Sequence, residues 1–503
     1  MQLITIILVL FVGGLVAWLS ERWGPDWPKR MSFVAIVVSG FLTVPLFMLP
    51  GEQLVLAGAT SEWLAVFSAP WIPRFGISFL FALDGLSLLM VALTIFLGLV
   101  ALISSWDEID YRPGFFQFNL MWTLAGVVGV FLALDLFLFF FFWEVMLIPM
   151  YLLIAIWGHE RKGYASMKFF LFTQVSGLLM LLSILGLVFT AADSLGRLSF
   201  SYFDLVGLDI GGPLGWYLML GFFIAFVVKL PGFPFHTWLP DAHTQAPTAA
   251  SVLLAGILLK TGAYGLIRFT VPLFPEASME LSETAMLLGA IGVVYGGVQA
   301  FAQDDFKRLV AYSSVSHMGF VLIGIYAWRE LTLQGSVMQM VAHGLSTAAL
   351  FMIAGALQHR LHTRAMSEMG GLWVDMPRMG AIAMFFIVAS LGMPGLGNFV
   401  GEFMVLMGAF EVNVPITIFA ALGLITAAVY SLIAMQKAFQ GASASPRDIM
   451  DFGAREVSVM AAMMLGLLAL GIYPQPIFDL VEPALSGVYG LGNTTEPWIG
   501  AMP

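Results

Sequence analysis

The chain has 503 residues, of which 60% are hydrophobic and only 10% are charged, and its mean hydropathy is +0.93. Because soluble domains carry about 25% charged residues, this composition excludes an ordinary soluble protein and indicates an integral membrane protein with many spans. The formal net charge of -10 gives no support to a nucleic-acid partner, since charges in such a chain belong to loops or special membrane positions. The lack of cysteine excludes disulfides, thiolate metal sites and iron–sulfur clusters on this chain.

The apolar runs predict an all-α polytopic membrane protein with about fourteen transmembrane helices, since each span needs roughly 20 mostly apolar residues. The predicted spans, numbered 1 to 14 in chain order, are 1–20, 32–50, 79–104, 114–134, 136–157, 164–191, 213–240, 247–270, 284–302, 306–327, 333–358, 379–410, 414–436 and 456–474. No linker or separate soluble domain interrupts them. We therefore expect one integral membrane domain over residues 1–503.

Two of these spans contain a predicted helix break. Pro231 and Pro234 interrupt span 7, and Pro394 with Gly395 interrupts span 12. Breaks are tolerated in a membrane only where protein or water satisfies the freed backbone groups, and paired breaks in two halves of a chain are typical of transporters. The five-span separation predicts two inverted five-helix repeats, spans 4–8 over residues 114–270 and spans 9–13 over residues 284–436.

The distribution of Lys and Arg supports this count, because cytoplasmic loops carry an excess of positive charge. Loops after even-numbered spans hold four of these residues, namely Arg74, Arg197, Arg268 and Arg329. Loops after odd-numbered spans hold fourteen, namely Arg22, Lys29, Arg30, Arg112, Arg161, Lys162, Lys307, Arg308, Arg360, Arg364, Arg378, Lys437, Arg447 and Arg455. The asymmetry predicts that both termini lie on the non-cytoplasmic side.

Six of the titratable residues within predicted spans form an ordered set, in the chain order Glu144, Lys229, Lys260, His317, His343 and Glu402. Charged groups at the bilayer centre are costly and usually face a bundle interior or a wet cavity. All six exchange protons, and a histidine can pass a proton from one ring nitrogen to the other near neutral pH. The pattern predicts a chain of proton-transferring groups across the bundle. The alternative is a set of buried ion pairs that only lock helices together.

Other polar residues have weaker signals. His236 and His243 flank the break in span 7 and are predicted to serve proton uptake or relay. Lys168 lies one turn into span 6 and is expected to extend to the cytoplasmic face. Asp84 and Asp135 lie near span ends and are interpreted as caps or anchors, with a functional role as the alternative. Three further histidines are expected in solvated loops, namely His159, His359 and His362.

Three long stretches resemble the antiporter-like subunits of respiratory complex I, a family shared with multisubunit cation/proton antiporters and membrane-bound hydrogenases. They are "FFFFWEVMLIPMYLLIAIWG", "KLPGFPFHTWLPDAHTQAPTAASVLLAGILLKTGAYG" and "QDDFKRLVAYSSVSHMGFVLIG". The resemblance extends over roughly residues 75 to 475. Within the family, the chain is most similar to the subunit type that has a glutamate in the second broken span, here Glu402, where the sister types typically have lysine.

This resemblance implies a proton-translocating membrane subunit of NADH:quinone oxidoreductase, a translocase driven by quinone reduction elsewhere in the complex. It implies a pair formed by Glu144 and Lys229, a central lysine at Lys260 and an exit carboxylate at Glu402. It also implies a bacterial inner (plasma) membrane location and sister antiporter-like subunits on either side. No cofactor or metal is expected on this chain, whereas FMN, iron–sulfur clusters and quinone are expected in partner subunits. Two alternatives remain open, a subunit of a multisubunit Na+/H+ antiporter and a structural membrane scaffold.

Overall fold

The structure of the protein is a computed structural model that describes residues 1–56, 59–441 and 449–489. Within these ranges the chain is mostly helical, and thirteen helices are long and apolar enough to cross a membrane. With the predicted numbers kept, they are span 1 Gln2–Ser20, span 2 Trp27–Thr43, span 3 Gly85–Ser104, span 4 Pro113–Leu132, span 5 Leu136–Trp157, span 6 Lys162–Leu195, span 7 Gly212–Lys229, span 8 Thr248–Leu273, span 9 Ser282–Phe301, span 10 Phe306–Tyr326, span 11 Glu330–Leu361, span 13 Val414–Ala438 and span 14 Ala454–Ile472. Arg447 and the C-terminal end, which entered the topology prediction, lie outside the described residues.

Both predicted breaks are present. Span 7 stops at Lys229, and a second helix, Trp238–Gln245, continues beyond the predicted end at residue 240. Span 12 consists of two shorter apolar helices, Pro377–Ser390 and Gly397–Phe410. Between them Gly395 adopts a φ of +94°, which glycine tolerates because it has no Cβ. The count of fourteen spans depends on these two short helices crossing the membrane together, so it stays a prediction, as does the inverted repeat.

Two antiparallel hairpins precede span 3, and the sequence analysis predicted neither. Strand β1 (Glu52–Leu56) pairs with β2 (Ala59–Trp63), and β3 (Ala65–Ile72) pairs with β4 (Ile77–Leu83). The predicted start of span 3 at residue 79 is therefore wrong. The run "ISFLFAL" is apolar and rich in aromatic residues, and a short run of this kind does not distinguish a strand from the beginning of a helix.

Three helices form the interior of the bundle. Along its most apolar stretch, span 8 is 100% buried and spans 10 and 11 are each 94% buried, whereas span 14 is only 28% buried. A buried interior helix contacts other protein rather than lipid, so it can hold titratable side chains. The interior helices contain Lys260, His317 and His343.

Glycines allow two close helix approaches at the breaks. A Cβ placed on Gly262 of span 8 would lie 2.5 Å from the carbonyl oxygen of Phe226, one turn before Lys229. A Cβ on Gly401 of the second span-12 helix would lie 2.7 Å from the backbone nitrogen of Gln339 on span 11. Since any larger residue would push these backbones apart, the two glycines set the neighbours of Lys229 and of Glu402.

Candidate functional site

Lys229 is the last residue of span 7 before the break. Its side chain is 1% exposed, and its Nζ lies 4.9 Å from the ring centre of Trp143 and 5.7 Å from that of Phe169. Glu144 of span 5 interacts with this amine electrostatically, but the two groups are not within the 4.0 Å of an ion pair. Nζ of Lys229 and Oε1 of Glu144 have no hydrogen-bond partner among the described residues. The structure therefore places the predicted pair near each other, but without direct contact.

Lys260 lies between two wide turns of span 8. The helix adopts π-helical geometry at Leu254–Leu258 and again at Leu266–Thr270. Such segments change which carbonyls are bonded and occur frequently at functional sites. Nζ of Lys260 donates a hydrogen bond to the carbonyl of Ala255 over 2.5 Å and lies 2.7 Å from Nδ1 of His343 on span 11. Both side chains are 0% exposed, so this contact is shielded from bulk solvent.

Glu402 lies in the second span-12 helix and contacts His317 of span 10. Its Oε1 is 2.7 Å from Nδ1 of His317 and accepts a hydrogen bond from Nε2 of Gln339 over 2.8 Å. The other ring nitrogen of His317, Nε2, lies 3.1 Å from Oγ of Ser390 and 3.3 Å from the hydroxyl of Tyr430. All these groups are buried, so Oε1 of Glu402 and both ring nitrogens of His317 are held by protein groups.

The two contacts belong to one buried series. The ring centres of His343 and His317 are 5.5 Å apart, and their planes are inclined by 64°. The rings are thus neighbours, with no hydrogen bond between them in the described structure. In space the order is Lys260, His343, His317 and Glu402, so the two histidines are reversed relative to their order along the chain.

His243 and His236 have different surroundings. His243, in the second helix of span 7, is 0% exposed and stacks on Phe351 with ring centres 4.3 Å apart. Neither of its ring nitrogens has a hydrogen-bond partner in the described ranges, and it lies within electrostatic range of Lys260. His236 packs edge-on against Tyr295 at 5.0 Å and is in electrostatic range of Lys168. His243 is therefore adjacent to the buried series, whereas His236 lies nearer the Lys168 side of the break.

Asp84 and Asp135 cap helices, which agrees with their interpretation from the sequence as caps or anchors. Asp84 accepts from the backbone N–H of Ser87 over 2.9 Å, and Asp135 accepts from the N–H groups of Phe137 and Leu138 over 3.0 and 3.1 Å. Asp84 also forms a buried ion pair with Arg268. The prediction that Arg268 lies in a loop is therefore wrong: it lies in the last turns of span 8, and the pair joins spans 3 and 8.

Two other lysines differ from prediction. Lys168 does not simply extend to solvent, because its Nζ pairs with Asp241 over 2.7 Å with both side chains about one-fifth exposed. Lys307, counted as a loop residue, is 0% exposed in the first turn of span 10. It was missed because a lysine near a span end has the same local sequence pattern whether it points inward or outward.

Sequence reasoning also missed the neutral groups around His317, namely Gln339, Ser390 and Tyr430. Polar neutral residues are common in transmembrane helices as interhelical contacts, so nothing in their local pattern marked them. No group of three or more His, Asp or Glu residues in the described ranges could hold a metal ion, and the chain has no cysteine.

Comparison with known proteins gives a consistent result. The family model described as NADH:quinone oxidoreductase/Mrp antiporter, TM matches residues 133–431. NADH-quinone oxidoreductase subunit M of Pseudomonas aeruginosa is 52% identical over 503 residues, which cover 99% of this chain and 97% of that protein. The subunit M of Escherichia coli (strain K12) is 51% identical over 491 residues, which cover 96% of each chain.

Solved structures show the same similarity. A chain of respiratory complex I from Thermus thermophilus with bound NADH superimposes with a TM-score of 0.88 at 29% identity, covering 98% of this chain and 100% of that one. A chain of the Mrp complex from Dietzia sp. DQ12-45-1b, at 23% identity and a TM-score of 0.83, shares the fold and covers 100% of this chain and 54% of that one.

Proposed function

Because the chain belongs to the NADH:quinone oxidoreductase/Mrp antiporter membrane family, we propose that its buried titratable residues conduct the protons that this family moves. The protein is an antiporter-like, multi-pass membrane subunit of the proton-translocating NADH:quinone oxidoreductase, respiratory complex I. The resemblance inferred from sequence is thus confirmed. The Na+/H+ antiporter alternative has a weaker basis, since the Mrp complex chain at 23% identity shares only the fold.

The observation that supports the proposal is the series of buried contacts from Lys260 to Glu402. Nζ of Lys260 is at hydrogen-bond distance from His343, and His317 is at hydrogen-bond distance from Glu402, 2.7 Å in each case. Each of the four residues can hold or release one proton. A proton leaving the Lys260 ammonium moves to Nδ1 of His343, and the lysine becomes a neutral amine. The histidines then pass it to the carboxylate of Glu402.

The step between the two histidines is longer than the others. With ring centres 5.5 Å apart, transfer needs either one bridging water or a rotation of a ring. His343 Nε2 has no hydrogen-bond partner among the described residues, so this nitrogen is free to bind that water. We assign the step between the rings as the internal gate of this half of the path.

Uptake is proposed to begin at the Lys229 side. Lys229 and Glu144 form the first site, with His236 and His243 as relay groups between this site and Lys260. In the described structure no chain of side-chain hydrogen bonds leads from Lys229 to Lys260. Water in the span-7 break is therefore proposed to carry the proton between these two lysines. The prevalence of Lys and Arg in loops after odd-numbered spans supports an uptake side in the cytoplasm and both termini on the opposite side.

The redox chemistry is assigned to partner subunits. The chain offers no cysteine and no three-residue metal-binding group in its described part, so its donor groups do not fit an iron–sulfur cluster or a metal ion. FMN, iron–sulfur clusters and quinone are proposed to lie in other subunits, which the similarity to subunits of NADH-quinone oxidoreductase supports. Sister antiporter-like subunits are the proposed neighbours in the membrane, and a bacterial inner membrane is the proposed location.

The test compares proton uptake into inverted membrane vesicles energised by NADH for wild type and Lys260→Met. Methionine keeps the length of the side chain and removes its charge. We expect uptake to fall to background while the complex remains assembled on a native gel. The matched control is Lys437→Met, because Lys437 is 46% exposed and pairs with Asp304 at the surface. Full uptake by an assembled Lys260→Met complex would refute the proposed path.

A further inference from the structure

A cavity of about 630 Å³ opens at the end of the bundle where spans 3, 11 and 14 meet residues 449–453. Its lining includes Ser104, Glu108, Ala356 and Arg360. This end carries the loops rich in Lys and Arg, so under the proposed function it faces the cytoplasm. The cavity lies apart from Glu144 and Lys229, and neither residue lines it.

Glu108 differs from the other carboxylates of this cavity. Glu456 pairs with Arg360 over 2.9 Å, Asp107 pairs with Arg455, and Asp451 accepts backbone N–H groups. Glu108 accepts from the backbone N–H of Thr248 through Oε1 over 3.1 Å. Its Oε2 is buried and has no partner among the described residues. Because a buried polar atom without a partner is unfavourable, this oxygen favours binding a proton or a water.

Lys307 is in electrostatic range of Glu108 but does not line the cavity. Its side chain is 0% exposed, and its Nζ donates to the carbonyl of Ala246 over 2.6 Å. No carboxylate lies within 4.0 Å of this amine in the described structure, although Glu108 is in electrostatic range. A lysine so deeply buried and without an ion-pair partner is costly as a permanent charge, and this favours exchange of its proton.

The third group is His243, a buried histidine near both this lysine and the central one. It lies within electrostatic range of both Lys307 and Lys260, and both of its ring nitrogens are buried without hydrogen-bond partners in the described ranges. Two free ring nitrogens allow an imidazole to receive a proton on one side and release it from the other.

We propose that the cavity is a second cytoplasmic proton entrance, which delivers protons to Lys260 through Glu108, Lys307 and His243 without passing Lys229. The inference rests on the proposed function, since Lys260 is the receiving group. A hydronium ion in the cavity gives one proton to the Glu108 carboxylate and leaves water. The carboxylic acid passes it to the neutral Lys307 amine, the resulting ammonium passes it to one nitrogen of His243, and the imidazole releases its other N–H proton toward Lys260. Water from the cavity bridges the longer steps, and each donor returns to its starting form.

The first experiment measures NADH-driven proton uptake in inverted vesicles for Glu108→Gln and Lys307→Met. Both replacements keep size and remove the titrating group, and we expect a partial loss of uptake, because protons can still reach Lys260 from the Lys229 side. The controls are Glu160→Gln, an exposed loop residue outside the cavity, and Lys437→Met. Glu108→Asp keeps a carboxylate and should therefore show more uptake than Glu108→Gln. If Glu108 had only a structural role, the shorter aspartate would not be expected to give more uptake than glutamine.

A second measurement avoids any change to the buried groups. The chain contains no cysteine, so Ala356→Cys introduces a single thiol into the cavity lining. A bulky, membrane-impermeant methanethiosulfonate reagent should inhibit uptake in this variant, whereas the same labelling of Glu160→Cys should leave uptake unchanged. Labelling is verified by the mass of the subunit.

The outcomes separate the two proposals. Uptake at background in Lys260→Met, together with a partial loss in Glu108→Gln and after labelling of Ala356→Cys, supports both. If Lys260→Met abolishes uptake but Glu108→Gln and labelled Ala356→Cys retain it, the second entrance is overturned and the proposed function stands. If Lys260→Met itself retains full uptake, the proposed function fails, and the second entrance fails with it.

Discussion

Replacing Lys229 by methionine is expected to abolish NADH-driven proton uptake while leaving the complex assembled. Lys229 is 1% exposed and packs against the rings of Trp143 and Phe169. A methionine side chain has a similar length and fits these aromatic contacts, so the variant removes a charge without opening a large hole. What disappears is the electrostatic interaction with Glu144.

The free energy lost in this variant is the attraction that Glu144 and Lys229 would gain on coming into contact. Glu144 and Lys229 are farther apart than 4.0 Å in the structure. Two unit charges brought to about 4 Å attract each other by about 4 kcal/mol at an effective dielectric constant of 20. Moving one charge against a membrane potential of 100 mV costs about 2.3 kcal/mol. Closing the pair can therefore change the proton affinity of neighbouring groups by more than this cost, and the free energy to open it again has to come from quinone reduction in partner subunits. Lys229→Met removes this coupling also for protons that reach Lys260 through the cavity at Glu108.

The assay is proton uptake by inverted vesicles energised with NADH, with the amount of assembled complex measured on native gels. Glu144→Gln should give the same defect, because it removes the other member of the pair. Lys437→Met serves as the control for loss of a lysine at the membrane surface. Wild-type uptake by a fully assembled Lys229→Met complex would show that the pair is a structural contact and that the charge calculation does not describe coupling.

Three further changes test the structural part of the account. Arg268→Met should destabilise the chain by about 3–5 kcal/mol, because it leaves Asp84 buried without its partner. Adding Asp84→Asn to the same chain should recover part of this stability. The midpoint of thermal unfolding of the detergent-purified complex measures both effects. Asp135→Ala should lower that midpoint as well, because leaving the backbone N–H groups at the start of span 5 unpaired costs about 2–4 kcal/mol of stability. In the loop after span 5, burial and the charge of Lys307 lower the pKa of His159 from 6.5 to about 4, so its contribution to stability should be present above pH 6.5 and be lost as the pH falls toward 4. His159→Gln should flatten this part of the pH dependence of the unfolding midpoint, and an unchanged profile would contradict the assignment.

Much of the fold follows from elementary features of the sequence. Apolar runs of span length located thirteen long helices, because a helix that crosses lipid must satisfy its own backbone and present apolar side chains. Pro231 and Pro394 located the two breaks. The hairpins before span 3 were not predicted, since the aromatic run at residues 77–83 is as apolar as a span and its pairing partner lies in a different segment.

The candidate site could be predicted in its members but not in its contacts. Lys260, His317, His343 and Glu402 were recognisable because titratable groups are rare inside spans. Their spatial order was not, because it depends on how spans 8, 10, 11 and 12 pack. Local sequence also cannot show which way a lysine near a span end points, and Lys307 was assigned to a loop for that reason.

The distribution of short contacts and gaps along the proposed path has a consequence for coupling. A path in which every group were hydrogen-bonded to the next would let protons return down the potential, and no free energy would be stored. The structure has short contacts at Lys260–His343 and His317–Glu402, and gaps at Glu144–Lys229 and between the two histidines. Substitutions at a short contact should therefore slow proton transfer, whereas substitutions at a gap should remove the point at which transfer is controlled. Because a gate has to open and close in each cycle, the gaps rather than the short contacts are the positions where quinone reduction in partner subunits would act on this chain.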